Sequence, residues 1–130
     1  MAYRKIILVV ESDPPRSEDK LSEKTIERLE LARKRSIEYA QDHVYFFLAG
    51  GNPYLMKGYL INTREAIEYR IIVRENITVI PWIGLFSAIK GTIKEIRNKF
   101  SDCSFVVFTS KPKRLLWQLY ARWQRLKVIN

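Results

Sequence analysis

One cysteine and one histidine are all that 130 residues contain. Cys103 alone excludes an internal disulfide and a multi-cysteine zinc site. His43 precedes a strand, at the opposite edge from any site built on strand ends, so no Ser-His-Asp or Cys-His constellation can be assembled. No apolar run approaches the roughly 18 residues of a membrane span. The first apolar stretch, Ile6 to Val10, is broken by Glu11, which does not fit a secretory leader. The expectation is a cytoplasmic protein with no membrane partner. Acidic residues are also scarce, but only in one half. Residues 76–130 hold ten Lys/Arg against Glu95 and Asp102, whereas residues 1–75 are nearly balanced. From Lys111 onward there are six cations and no acid. Charge of one sign attracts polyanions, nucleic acid among them, or simply solvates a helix face.

What is present suits a globular protein. Hydrophobic residues make up 47% and charged residues 28%, enough to build a core. The length fits a single domain, residues 1–130. No repeat, low-complexity stretch or interdomain linker interrupts it.

Four strand-then-helix units follow one another. Ile6–Val10 is continuously apolar and β-branched, as in a strand buried on both faces. Pro14-Pro15 breaks it. Ser17 to about Gln41 reads as a helix, with acids early and Arg33-Lys34-Arg35 late, which complements the helix dipole. Val44–Leu48 is the second strand, closed by Ala49-Gly50-Gly51-Asn52-Pro53. The spacing predicts a loop to Ile61, the longest mobile segment, and then a helix from about Thr63 to Arg74. Asn62 and Glu65 resemble a capping box at its start. Ile77–Ile80 is the third strand, closed by Pro81-Trp82. A helix over Ser87–Phe100, a strand over Phe105–Phe108 and a helix from near Pro112 to about Lys127 complete the chain. This βαβαβαβα order predicts a three-layer, Rossmann-like α/β domain with a mostly parallel sheet of about four strands.

In such sheets ligands bind beyond the carboxyl ends of the strands, where helix N-termini favour anions. That edge should gather Glu11, Ser12 and Asp13; Gly50, Gly51 and Asn52; and Thr109, Ser110 and Lys111. The glycine pair allows close backbone approach by a ligand, or simply a turn. It is neither GxGxxG nor a P-loop. Thr109-Ser110-Lys111 offers two hydroxyls and an ammonium to a phosphate, or a helix cap and a surface lysine. Glu11 and Asp13 could contact hydroxyls or a cation, but two acids are too few for a metal site. Glu65 is a base, a ligand contact or only a cap. The last helix has an apolar face wider than a sheet requires, including Leu115, Leu116, Trp117, Leu119 and Trp123. Three readings fit: deep packing, a homodimer through this helix, or nucleic-acid binding through Lys111, Lys113, Arg114, Arg122 and Arg125 with Trp117 or Trp123 stacking on bases.

The pieces together resemble the DUF218 (YdcF-like) family of small Rossmann-like domains. The resemblance rests on Ile6–Val10, Ala49-Gly50-Gly51, Glu65-Ala66 and Thr109-Ser110, with a weaker echo at Thr92 and Glu95. It covers most of the chain. Lys113 stands near the place of the histidine that usually follows Thr-Ser in the family, and the first strand ends in Glu11-Ser12-Asp13 where glycines are usual. The resemblance implies a nucleotide-like or S-adenosylmethionine-like ligand at the strand ends. The expected function is therefore binding of an anionic small ligand, with no cofactor and no reaction assignable. Nucleic-acid binding through the last helix is the alternative.

Overall fold

The structure, a computed structural model, describes residues 5–13, 20–39, 43–62, 77–80, 85–100 and 102–129. Its strands are β1 (Lys5–Glu11), β2 (His43–Ala49), β3 (Ile77–Val79), β4 (Ser104–Phe108) and β5 (Lys127–Val128). Its helices are α1 (Glu23–Glu38), α2 (Pro53–Asn62), α3 (Leu85–Lys99) and α4 (Lys111–Trp123). The five strands form one sheet in the order β3-β2-β1-β4-β5, and every pairing is parallel. The expected α/β class is what the chain forms.

β1 lies between β2 and β4, with Val10 opposite both Leu48 and Phe108. Ile6 to Val10 are all completely buried, which explains the unbroken apolar run. Alternate residues serve opposite faces. Ile6, Leu8 and Val10 meet Leu29 and Ala32 of α1 and Met56 and Leu60 of α2. Ile7 and Val9 share the other core with Ile89, Ile93 and Ile96 of α3 and Trp117 and Ala121 of α4. Each fully buried aliphatic side chain contributes about 1.5–3 kcal/mol, so this central strand anchors both layers.

Three expected boundaries need correction. First, α1 begins at Glu23: Ser22 is its N-cap, and Ser22 Oγ accepts from Thr25 N at 3.1 Å, while Ser17, its expected start, lies outside the described residues. Second, the expected loop from Gly50 to Ile61 is largely helix. Pro53 opens α2, where a missing N–H is harmless, and Met56 and Leu60, one turn apart, are buried. The helix expected over Thr63–Arg74, with Glu65, lies outside the described residues. Third, α4 stops at Trp123, and Lys127–Val128 forms a fifth strand.

The stop after Trp123 has a clear cause. Leu126 N donates to Ala121 O at 2.9 Å and Arg125 N to Arg122 O at 2.9 Å, with Arg125 at φ 64°. This is a Schellman ending with arginine where glycine is usual. Arg125→Gly is therefore expected to stabilise the fold by about 0.5–1 kcal/mol, read as a higher urea midpoint. A lower midpoint would mean that the arginine side chain holds this turn.

α1 and α2 are tied by Tyr59, whose hydroxyl donates to Glu30 Oε1 at 2.6 Å. That bond, with Arg33 beside it, holds the Glu30 carboxyl below its ordinary pKa despite some desolvation.

Candidate functional site

The strand order reverses between β1 and β4, because β2 and β3 extend to one side of β1 and β4 and β5 to the other. Ligands in doubly wound sheets bind at such a switch point. The carboxyl ends of β1 and β4 deliver Glu11–Asp13 and Thr109–Lys111 to it, as the sequence predicts.

Glu11 is 1% exposed. Its Oε1 accepts from Thr109 Oγ1 at 2.7 Å and its Oε2 from Trp117 Nε1 at 3.2 Å. Lys113 Nζ lies 3.4 Å from Oε1. The Glu11 carboxylate is thus taken up by the chain itself, and it ties α4 to the end of β1. Asp13 is similarly engaged. Its Oδ1 accepts from Arg28 at 3.2 Å and its Oδ2 from Ser22 Oγ at 2.6 Å. Arg28 also donates to Glu11 O at 2.8 Å.

Ser12, Gly50, Gly51 and Asn52 meet at the ends of β1 and β2. Ser12 N donates to Ala49 O, and Asn52 N donates to Ser12 Oγ, both at 2.9 Å. Gly50 has φ +103°, and a Cβ there would stand 2.5 Å from Ser12 O. The close approach that Gly50 allows is to Ser12.

Thr109, Ser110 and Lys111 line a different space, a cleft of about 550 Å³ between the first turns of α1 and α4. Its other walls are Lys24, Glu27, Arg28, Leu31, Pro112 and Arg114. Four cations face a single acid there. Ser110 is the N-cap of α4 but makes no side-chain cap hydrogen bond. The structure therefore divides the candidate set: Thr109–Lys111 line the cleft, Glu11 and Asp13 brace its floor, and the Gly50–Asn52 turn packs beside Ser12. Glu65 lies outside the described residues.

Sequence reasoning missed Lys24 and Arg28. With the helix expected from Ser17, both lie well inside it, and the sequence carried no signal for them. Arg28 finds its anion in Asp13, whereas Lys24 stands in the first turn of α1, where the dipole disfavours a cation.

The set drawn for nucleic acid also divides. Trp117 is completely buried and Lys113 faces Glu11, so both are removed from a surface role. Deep packing of the whole helix is likewise overturned. Only Trp117 and Ala121 of α4 are buried; Leu115, Leu116 and Leu119 are exposed, and Trp123 is 75% exposed. Lys111, Arg114, Arg122 and Arg125 are exposed as well.

Cys103 is buried, and desolvation, followed by the charge of Asp102, pushes its thiol up. That suppresses nucleophilic character. Among the described residues no cluster of His, Cys, Asp and Glu could hold a metal ion. No described helix is long and apolar enough to cross a membrane. No family model, curated protein or solved structure matches the chain.

Proposed function

We propose that the protein binds a nucleotide-like or other anionic small ligand in the cleft between α1 and α4. The observation that carries this is the convergence of Lys24, Lys111 and Arg114 with the α4 N-terminus at the switch point, with Arg28 behind them paired to Asp13. The cleft volume is in the range of small-ligand sites, roughly 300–1,000 Å³. The resemblance to the DUF218 family at Thr109-Ser110 supports the same reading. The carboxylates beneath the cleft, Glu11 and Asp13, are committed to internal partners, and Glu27 is the acid on its wall.

The test is calorimetric titration with a panel of nucleotides and inorganic phosphate at low salt. Lys111→Glu and Lys24→Glu are each expected to weaken binding about tenfold, the effect of about 1.4 kcal/mol, without lowering the melting temperature. Absence of binding by every anion in the panel would sink the proposal.

A second reading has its own observation. Trp123, at 75% exposure, stands beside Arg122 and near Arg125, an arrangement suited to single-stranded nucleic acid. Reversing both arginines should then abolish oligonucleotide binding and its salt dependence. Binding unaffected by the reversal would dismiss this helix.

A further inference from the structure

We infer that the ligand of this cleft is amphiphilic, an anionic head joined to an apolar chain. The inference rests on the proposed anion site and names what lies beside it. A second cavity, of about 410 Å³, adjoins the first and shares two of its walls, Leu31 and Arg114. Lys24, Arg28, Leu31 and Arg35 recur every three or four residues along α1, which places them on one stripe of the helix. Lys111, Arg114 and Gln118 do the same along α4. The two stripes bound one groove that runs from the carboxyl edge of the sheet down over β4.

The chemistry of this groove changes along its length. The upper cavity is cationic. The lower cavity is floored by Val106, Val107 and Phe108 of β4 and by Ile129, with Leu31 at the junction and Arg35, Arg114 and Gln118 on its walls. Val106 and Phe108 face the α1 side of the sheet. Leu31 is exposed there, although it borders the inner cavity. An apolar side chain left half in water beside a cation cluster suits a ligand that brings its own apolar surface. Arg35 is held by Glu38 at 3.5 Å and donates to Tyr39. The side chains of Val106, Phe108 and Ile129 offer hydrocarbon to an alkyl chain.

The probes are inorganic phosphate, ethyl, butyl, hexyl and octyl phosphate below their micelle concentrations, and adenosine monophosphate, all by calorimetry. Affinity is expected to rise about two- to fourfold per added methylene, the upper figure corresponding to full burial, and then to level off as the groove fills. Ile129→Asn, at a residue that lines only the second cavity, should flatten that rise and leave inorganic phosphate binding unchanged. Leu119→Asp, on the outer face of α4, should leave the rise intact. Equal affinity for phosphate and its alkyl esters overturns the inference while the anion site stands. So does tighter binding of adenosine monophosphate than of hexyl phosphate, or a rise that survives Ile129→Asn. No binding by any probe, inorganic phosphate included, fails the anion site itself.

Discussion

Glu11→Ala is expected to lower the unfolding free energy by about 3–5 kcal/mol, the cost of breaking a buried ion pair from one side. The carboxylate satisfies the Thr109 hydroxyl, the Trp117 indole and the Lys113 ammonium at once. Deleting it leaves two neutral donors without their acceptor, at about 1–3 kcal/mol for each that water cannot reach. Lys113 retains some access to water, which moderates the penalty. Domains of this size have about 5–15 kcal/mol in total, so the variant loses a large share of its stability. Glu11→Gln should cost less, because one oxygen still accepts. The double variant Glu11→Leu/Lys113→Met should recover part of the loss, since it removes both charges together. Urea unfolding of all three decides the matter. A loss below about 1 kcal/mol for Glu11→Ala, the value of an exposed pair, would mean that the carboxylate is free to serve a ligand.

That clamp could not be read from the sequence, although the strand carrying it could. The apolar run Ile6–Val10 announces a central parallel strand, and Glu11 is visible as the acid that ends it. Its partners Thr109 and Trp117 are 98 and 106 residues away, and no local pattern joins them. Trp117 appeared as one member of a wide apolar face. In the structure it separates from that face, because only residues aligned with Ala121 turn toward the sheet.

The helix α2 was hidden for a different reason. Gly50-Gly51-Asn52-Pro53 reads as a breaker, and Tyr54, Leu55, Met56, Tyr59, Leu60 and Ile61 leave no polar stripe to show a helical period. Tertiary packing of Met56 and Leu60 overrides weak local preference. α4 ends where neither glycine nor proline marks a stop, and Arg125 adopts the left-handed turn in their place. Half of the cleft was legible because Thr109–Lys111 follow a strand directly. The other half, Lys24 and Arg28, lies inside a helix, where cations are ordinarily solvated and draw no notice.

Gly50→Ala and Gly58→Ala should have opposite effects, although both add one methyl group. At Gly50 the backbone has φ +103°, and the added Cβ would stand 2.5 Å from Ser12 O and 2.8 Å from Ser12 N. These are backbone atoms, and their movement disturbs the bond from Ser12 N to Ala49 O and the bond from Asn52 N to Ser12 Oγ. A non-glycine residue in such a conformation costs about 1–3 kcal/mol before any overlap is counted. Overlap in a tight junction adds about as much again, so a loss of about 3 kcal/mol or more is expected. Gly58 lies inside α2 with nothing within 4 Å of an added Cβ. Alanine there should stabilise the protein by about 0.5–1 kcal/mol through the entropy of the unfolded chain and helix propensity. Urea midpoints moving in opposite directions would confirm the junction between β1 and β2. An unchanged midpoint in Gly50→Ala would mean that the turn stands clear of Ser12, and its backbone would then be open to a ligand at this edge of the sheet.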